Sequence, residues 1–185
     1  MVYQEKLFTK KECEIIIKLA EPIKADTSDT FFDAVSGRVN YSDNLFKKSY
    51  NVSIIHNNDK TNWVFNKLLK WFSEKTNILI KPGLTINGGL IHKYNIGDLF
   101  EKHTDINIKF MDRRYNIGIQ LNEGYIGGDY NYWLNNQIHT FSKEIGTAIL
   151  YPVDILHEVT EITDGNRISF VTHIGSKLIK TNSLL

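Results

Sequence analysis

The chain has 185 residues, of which 42% are hydrophobic and 12% aromatic, enough for one globular domain with a real core and too apolar for a disordered chain. Its 22 Lys and Arg residues balance 21 Asp and Glu residues, so the net charge near +1 gives no electrostatic reason to expect a nucleic-acid or membrane partner. The single cysteine, Cys13, excludes an internal disulfide framework and a metal cluster built from cysteines, and it is predicted to be a small core residue.

The N-terminal residues lack the long apolar run and the small-residue cleavage site of a signal peptide. No stretch approaches the ~18 consecutive apolar residues that a membrane-spanning helix requires. We therefore expect a soluble protein in the cytoplasm, or in the host cytoplasm if the chain is viral. The pattern does not indicate an oligomeric state. No repeat or Pro/Gly-rich linker divides the chain, so residues 1–185 are predicted to form one domain.

Two helices are predicted in the first 80 residues. Thr9 and Glu12 have the spacing of a capping box, and the apolar residues that follow predict a helix closed by Pro22. A second helix is predicted from about residue 59 to residue 75. The apolar residues that predict its core-facing stripe are Val64, Leu68, Trp71 and Phe72.

The segment between these helices, residues 26–50, is polar, rich in Ser and Asp, and weakly periodic. Long irregular segments of this kind are lids or binding loops in some proteins and merely mobile in others. Both interpretations stay open at this point.

After Pro82 the pattern changes to short strands separated by turn signals such as NEGYIGGD and TDGN. The predicted strands are LTINGGLIHKY, RYNIGIQL, QIHTFS, GTAILYP, HEVTEI and RISFVTHI. Two helices followed by six or more strands predict an α+β protein with a strand-rich sandwich or barrel as its core.

His103 and Asp105 are two residues apart, so on an extended segment their side chains point to the same face and can hold one metal ion. A further ligand must come from elsewhere, and the downstream candidates are His139, His157 and His173. His157 is the best placed, because it follows an apolar strand at a turn. Two histidines and one carboxylate form the facial triad of non-haem Fe(II) enzymes, which leaves positions open for a co-substrate and oxygen.

Arg167 and Ser169 are also two residues apart in a predicted strand, so they share a face. A guanidinium and a hydroxyl on one face suit the binding of a carboxylate, because arginine can bind it through two parallel hydrogen bonds. Each of these pairs is weak evidence alone. The order of the two pairs along the chain, with His157 between them, is much more specific evidence for a site that binds a metal and an anion.

From Leu84 to His173 the chain resembles the iron- and 2-oxoglutarate-dependent dioxygenases of the prolyl 4-hydroxylase type. The segments that carry the resemblance are HKYNIGDLFEKHTD, RYNIGIQLNEGYIGGDY and GTAILYPVDILHEVTEITDGNRISF, and FTKKECEIIIKLAEP resembles the opening helix of many members. The resemblance implies a double-stranded β-helix (jelly-roll) core over residues 81–178, with a helical N-terminal part, residues 1–80, packed outside it.

The resemblance also implies roles for single residues. His103, Asp105 and His157 match the Fe(II) ligands, and Arg167 matches the residue that binds the distal carboxylate of 2-oxoglutarate. Ser169 and Tyr94 match a hydroxyl and a tyrosine near the co-substrate. The implied reaction is decarboxylation of 2-oxoglutarate to succinate and CO2, coupled to hydroxylation of a C–H bond, with ascorbate as a candidate reductant.

The chain departs from the family pattern in three places. Phe100 stands where many relatives have tyrosine, Gln120 where some place a co-substrate tyrosine, and His173 in a segment where tryptophan is common. These departures concern the substrate rather than the reaction. A prolyl residue in a peptide or protein is the leading substrate, with free amino acids and other small molecules as alternatives.

Three further residues are candidates for contact with the substrate. Each also has a structural interpretation: Asp129 as a turn residue, Arg114 as part of a solvated basic turn, and Trp133 as a core or rim residue. Two rival functions are a non-catalytic binding module of the same fold and a cupin-like Zn or Mn protein that does not use 2-oxoglutarate. The combination of the triad with Arg167 favours the oxygenase over both.

Overall fold

The computed structural model describes residues 1–22, 51–78, 84–85, 88–106 and 113–176. The segment 26–50, interpreted above as a lid or a mobile loop, lies outside these residues. So does the end of the predicted core, from residue 177 onward.

Helix α1 spans Lys10–Leu19 and begins at the predicted capping box. The backbone N–H of Glu12 donates to Thr9 Oγ1 at 3.2 Å, and the backbone N–H of Thr9 donates to Glu12 Oε2 at 2.7 Å. These two bonds satisfy N–H groups that the first turn of a helix leaves without intrahelical partners. The prediction of the first helix is therefore confirmed.

Helix α2 spans Asn62–Thr76 and ends at Asn77, which adopts the left-handed conformation with φ 56°. It begins three residues later than predicted, because the preceding residues form a turn. In this turn the backbone N–H of Asn58 donates to Thr61 Oγ1 at 3.0 Å, and that of Lys60 donates to Asn58 Oδ1 at 3.0 Å. The predicted apolar stripe of this helix is buried. Among the described residues, neither helix is long and apolar enough to cross a membrane.

Within the described residues the strands form three antiparallel sheets. A large sheet has the order β1-β11-β7-β14-β5-β3-β2, with β4 also paired to β14; a small sheet has the order β10-β9-β12-β6; and β8 pairs with β13. The strands are β1 Tyr3–Lys6, β2 Glu21–Pro22, β3 Asn51–His56, β4 Leu84–Thr85, β5 Gly88–Tyr94, β6 Phe100–His103, β7 Arg113–Gln120, β8 Ile126–Gly127, β9 Tyr130–Leu134, β10 Gln137–Thr140, β11 Thr147–Pro152, β12 His157–Val159, β13 Ile162–Asp164 and β14 Arg167–Ser176.

The N-terminal part is not purely helical, in contrast to the prediction for residues 1–80. β1 pairs with β11, so that Tyr3 lies opposite Leu150, and β3 pairs with β5 along its whole length. β1 has only four residues and three of them are exposed. It therefore lacks the apolar alternation by which a strand is recognised, and its pairing depends on a partner distant in the sequence.

The segment predicted as one strand, HEVTEI, forms two strands in different sheets. β12 pairs with β6 and β9, whereas β13 pairs with β8. Between them Thr160 and Asp129 exchange two hydrogen bonds, from Thr160 N–H to Asp129 O at 2.9 Å and from Asp129 N–H to Thr160 Oγ1 at 2.8 Å. These bonds tie the chain to the turn before β9 at the point where it leaves the small sheet.

The two faces of the large sheet have different partners, as the alternation of side chains along a strand requires. On β7, Ile117 and Ile119 face the helices and are almost fully buried. Asn116, Gly118 and Gln120 alternate with them and therefore face the small sheet. The main core is thus helix on sheet, and the space between the two sheets holds polar side chains together with apolar ones. Residues of this main core include Phe8, Ile16, Phe65, Leu68, Trp71, Phe72, Ile91, Leu150 and Phe170.

Cys13 lies in the main core, as predicted, with 0% of its surface exposed. Burial raises the pKa of its thiol to about 11, because the thiolate form loses its hydration there. We expect Cys13 to react with a thiol reagent such as DTNB at pH 8 far more slowly in the native protein than after denaturation in guanidinium. Rapid reaction of the native protein would contradict the described packing of α1.

Candidate active site

The three predicted metal ligands meet at one end of the space between the sheets. His103 ends β6 and His157 begins β12, and the two residues lie directly opposite each other in the antiparallel pair. Asp105 follows β6 by two residues. Its Oδ1 lies 3.9 Å from His103 Nε2, and its Oδ2 lies 3.6 Å from His157 Nε2. One ligand atom from each residue falls within 4.8 Å of the others.

Hydrogen bonds orient both imidazole rings with Nε2 toward this point. His103 Nδ1 lies 2.6 Å from the carbonyl oxygen of Glu101, and His157 Nδ1 lies 2.9 Å from that of Ile155. A carbonyl oxygen can only accept, so each Nδ1 carries a proton and donates it. In a neutral ring the lone pair then lies on Nε2, which is the state that a metal ion requires.

Asp105 supplies the negative charge of this group and is only 6% exposed. Its backbone N–H donates to the carbonyl oxygen of Val153 at 2.9 Å, which ties the residue to the loop before β12. A buried carboxylate is costly unless a positive charge or hydrogen bonds compensate it, and a divalent cation does so well. Two imidazole nitrogens and one carboxylate oxygen therefore fit an Fe(II) ion, with one side left open.

A second polar group lies between the sheets, on adjacent strands of the large sheet. Arg167 on β14 lies opposite Tyr94 on β5, and Ser169 lies opposite His92 on β5 and Gln120 on β7. Directly paired residues of antiparallel strands share a face. The register thus brings these five side chains to the inner face of the large sheet.

Arg167 is 4% exposed and is held between aromatic rings. Its Cζ lies 5.3 Å from the ring centre of Tyr94 and 5.5 Å from that of Tyr130, and its Nη1 donates to Ser169 Oγ at 2.9 Å. The tyrosine faces stabilise the guanidinium by cation–π attraction and restrict its motion. A buried, fixed guanidinium beside a hydroxyl suits a carboxylate ligand.

One cavity joins the two groups, because His103, Asp105 and His157 line it together with Arg167 and Ser169. Gly118 lies in its wall and keeps it open. A Cβ atom at this position would meet Ile149 Cγ1 at 2.9 Å, so no larger residue fits without a shift of that side chain. The cavity is thus continuous from the metal ligands to Arg167.

No family model matches the chain. A PKHD-type hydroxylase from Acaryochloris marina is 29% identical over 104 residues, which are 54% of this chain and 46% of that protein. The chain thus matches about half the length of this curated relative.

Solved structures cover nearly the whole chain. A prolyl-4-hydroxylase from Pseudomonas putida aligns with a TM-score of 0.63 and 14% identity, covering 95% of this chain and 92% of that one. A viral collagen prolyl hydroxylase from Paramecium bursaria Chlorella virus-1, solved with 2-oxoglutarate, aligns with a TM-score of 0.65 and 13% identity, covering 95% and 96%. The chain has the prolyl 4-hydroxylase fold. The predicted jelly-roll architecture and the resemblance stated from the sequence are both confirmed.

A third match to this prolyl 4-hydroxylase fold is a prolyl hydroxylase from Trichoplax adhaerens in complex with a hypoxia inducible factor peptide fragment. Its TM-score is 0.62 at 11% identity, with 95% of this chain and 83% of that chain covered. The low identities mean that these matches establish the fold, and the roles of single residues rest on the geometry described above.

The departures from the family pattern have definite contacts in this prolyl 4-hydroxylase fold. Phe100 packs on the metal-site imidazole, with ring centres of Phe100 and His103 3.9 Å apart. Gln120 donates from Nε2 to the hydroxyl of Tyr125 at 2.6 Å, and burial raises the pKa of that phenol. The Tyr125 ring thus lies next to the Gln120 side chain, and the Arg167 side chain also lies near this ring.

Two tyrosines of the cavity wall were not predicted from the sequence. Tyr130 and Tyr151 line the cavity beside His157, and their hydroxyl groups are in contact. Burial raises the pKa of Tyr130, so this phenol is neutral at physiological pH. Tyr151 lies in a predicted strand and Tyr130 follows the glycine turn, where Gly127 and Gly128 both have positive φ. Neither position carries a signal that distinguishes a site residue from a core aromatic.

The structure does not bring Asp129 or Trp133 to the metal ligands. The carboxylate of Asp129 lies 2.6 Å from Lys143 Nζ, which favours its role as a turn residue. Trp133 alternates with Tyr132, the residue paired opposite His157, so it faces the outside of the small sheet. There Lys102 Nζ lies 3.9 Å from its ring centre.

Arg114 has a different position. It is exposed, and its carbonyl oxygen accepts from the backbone N–H of Val153 at 3.1 Å. The carbonyl oxygen of Val153 in turn accepts from the backbone N–H of Asp105 at 2.9 Å. The Arg114 backbone therefore lies close to the metal ligands, at the protein surface.

Proposed function

We propose that the protein is an Fe(II)- and 2-oxoglutarate-dependent dioxygenase that hydroxylates a C–H bond and releases succinate and CO2. The observation that carries this proposal is the single cavity with the His103, Asp105 and His157 triad at one end and Arg167 with Ser169 at the other. A metal-binding module without a co-substrate has no evident need for a buried arginine at the far end of the same cavity.

Fe(II), when bound, supplies the redox chemistry that activates oxygen. The side chains of the cavity position the reacting groups. His103, Asp105 and His157, whose ligand atoms converge at the wall of the cavity, would hold the ion. Arg167 and Ser169 bind the distal carboxylate of 2-oxoglutarate and thereby direct its keto-acid end toward the metal ligands. The apolar wall around Gly118 and Ile149 excludes water between the two ends.

We infer that the substrate is a prolyl residue in a peptide or protein. The relative from Trichoplax adhaerens binds a peptide, and the fold is shared over 95% of this chain. At the metal end Ile106, directly after the triad aspartate, is 63% exposed, and Arg114 is exposed nearby in the fold. An exposed apolar side chain and a cation at the entrance suit a peptide chain with an acidic group.

The test is the conversion of 2-[1-14C]oxoglutarate to 14CO2 with Fe(II) under air, first without a second substrate and then with a library of proline-containing peptides and free amino acids. We expect slow turnover alone, stimulation by peptides, and a +16 Da product by mass spectrometry. Stimulation by a free amino acid instead would retain the oxygenase and reject the peptide substrate. No turnover under any condition, and no thermal shift with metal plus 2-oxoglutarate, would reject the oxygenase.

A further inference from the structure

A chain of two hydrogen bonds leads away from the triad carboxylate into the large sheet. Asn116 on β7 is fully buried, and its Nδ2 donates to Asp105 Oδ2 at 2.7 Å. Its Oδ1 lies 2.6 Å from Nδ1 of His173 on β14, the residue directly opposite it in the β7–β14 pair. Asn116 and His173, which are 57 residues apart in the sequence, are thus joined by a hydrogen bond behind the metal site.

The chemistry of the groups fixes the direction of each bond. A carboxylate can only accept, so Asn116 must turn its amide nitrogen toward Asp105, and its amide oxygen then faces His173. An amide oxygen can also only accept, so His173 carries a proton on Nδ1 and donates it. The reversed amide would place its oxygen against the carboxylate and lose the bond to Asp105. Asp105 therefore fixes which way the Asn116 amide points, and His173 supports that orientation by donating to the amide oxygen.

Asp105 lies in a different part of the fold from the strand residues His103 and His157. Each histidine lies in a strand of the small sheet and is oriented by a nearby carbonyl of its own chain segment. Asp105 lies beyond the end of β6, and the bond from its backbone N–H to the carbonyl oxygen of Val153 holds the backbone rather than the carboxylate. The bond from Asn116 holds one carboxylate oxygen, the one nearer His157 Nε2.

We propose that Asn116 and His173 are positioning residues of the metal site. Asn116 holds the Asp105 carboxylate in the orientation that binds the metal, and His173 holds the Asn116 amide. This inference rests on the proposed metal function of the triad. It also assigns a role to His173, which sequence reasoning considered only as a possible third ligand and as a departure from the family pattern.

The experiment measures the affinity of the metal-free protein for Co(II), a spectroscopic substitute for Fe(II), by titration of its visible absorption. Partners behind metal ligands typically contribute ~10- to 100-fold to metal affinity, so we expect Asn116→Ala to weaken Co(II) binding by about 10-fold or more. Asn116→Asp should weaken it further, because it places a second carboxylate against Asp105. The Co(II) spectrum of these variants should also change shape, which a loss of stability alone would not cause.

His173 is tested by a pair of variants. His173→Ala removes the donor and should weaken Co(II) binding by several-fold. His173→Asn places an amide nitrogen close to the position of the imidazole Nδ1, so it should restore much of the lost affinity. Rescue by asparagine is expected only if the donor to Asn116 is what matters.

Thr172→Val is the matched control. Thr172 is buried on the same strand but on the opposite face, where its Oγ1 donates to the carbonyl oxygen of Gly88 at 2.6 Å. We expect this variant to lose thermal stability while it keeps wild-type Co(II) affinity.

If folded Asn116→Ala and Asn116→Asp proteins bound Co(II) like the wild type, the positioning role would be rejected, whereas the proposed metal site would be retained. If the wild type bound no Co(II), the proposed function itself would fail.

Discussion

Replacement of Asp105 by alanine is expected to abolish succinate release coupled to substrate hydroxylation. Asp105 supplies the carboxylate oxygens that lie 3.9 and 3.6 Å from the two histidine Nε2 atoms, so its loss leaves two neutral imidazoles to hold the metal. The loss of metal affinity should exceed the ~100-fold that partners behind a ligand can contribute. Succinate formation and Co(II) binding measure the two effects separately.

Two variants show whether this effect belongs to the site. Asp105→Asn keeps the size of the side chain and removes its charge, so it should also lose most of its metal affinity if charge is decisive. Asp59→Ala removes an exposed aspartate in the turn that precedes helix α2, and it should leave succinate release unchanged. Full turnover by Asp105→Ala would overturn the triad assignment.

Replacement of Arg167 by alanine is expected to raise the KM for 2-oxoglutarate by about 100-fold or more. A hydrogen bond to a charged group contributes ~1.5–3 kcal/mol, and a guanidinium that binds a carboxylate through two such bonds loses both. Each 1.4 kcal/mol corresponds to about tenfold in affinity. Initial rates of succinate formation as a function of 2-oxoglutarate concentration give the KM.

Arg167→Lys separates charge from geometry. Lysine keeps the positive charge but lacks the planar fork and stacks less well between Tyr94 and Tyr130, so its KM should fall between those of the wild type and the alanine variant. Both variants should bind Co(II) like the wild type in the absence of 2-oxoglutarate, because Arg167 lies at the far end of the cavity. An unchanged KM in folded Arg167→Ala would place the co-substrate elsewhere.

Local patterns made much of this protein predictable. The capping box of α1 and the apolar stripe of α2 depend on residues within one or two helical turns. The spacing of His103 and Asp105, and that of Arg167 and Ser169, depends on the two-residue period of extended chain. The alternation on β7 separates the core-facing isoleucines from the residues of the cavity in the same way.

Contacts between distant strands were not predictable in this way. β1 could not be recognised because its partner, β11, is more than 140 residues away in the sequence. HEVTEI was predicted as one strand because its change from one sheet to another depends on the bonds to Asp129. Tyr130 and Tyr151 gave no signal, because an aromatic in a strand has the same pattern whether it faces a core or a cavity.

The sequence by itself determined the kinds of side chain, their spacing along each strand and thus the face that each one shares with its neighbours. Only the tertiary structure decided that the metal ligands and Arg167 line one cavity, that Asp129 and Trp133 lie outside it, and that Asn116 and His173 stand behind Asp105. The physical reason is that periodicity follows from the backbone of a single strand, whereas a cavity follows from the register between strands. That register is set by packing over the whole domain.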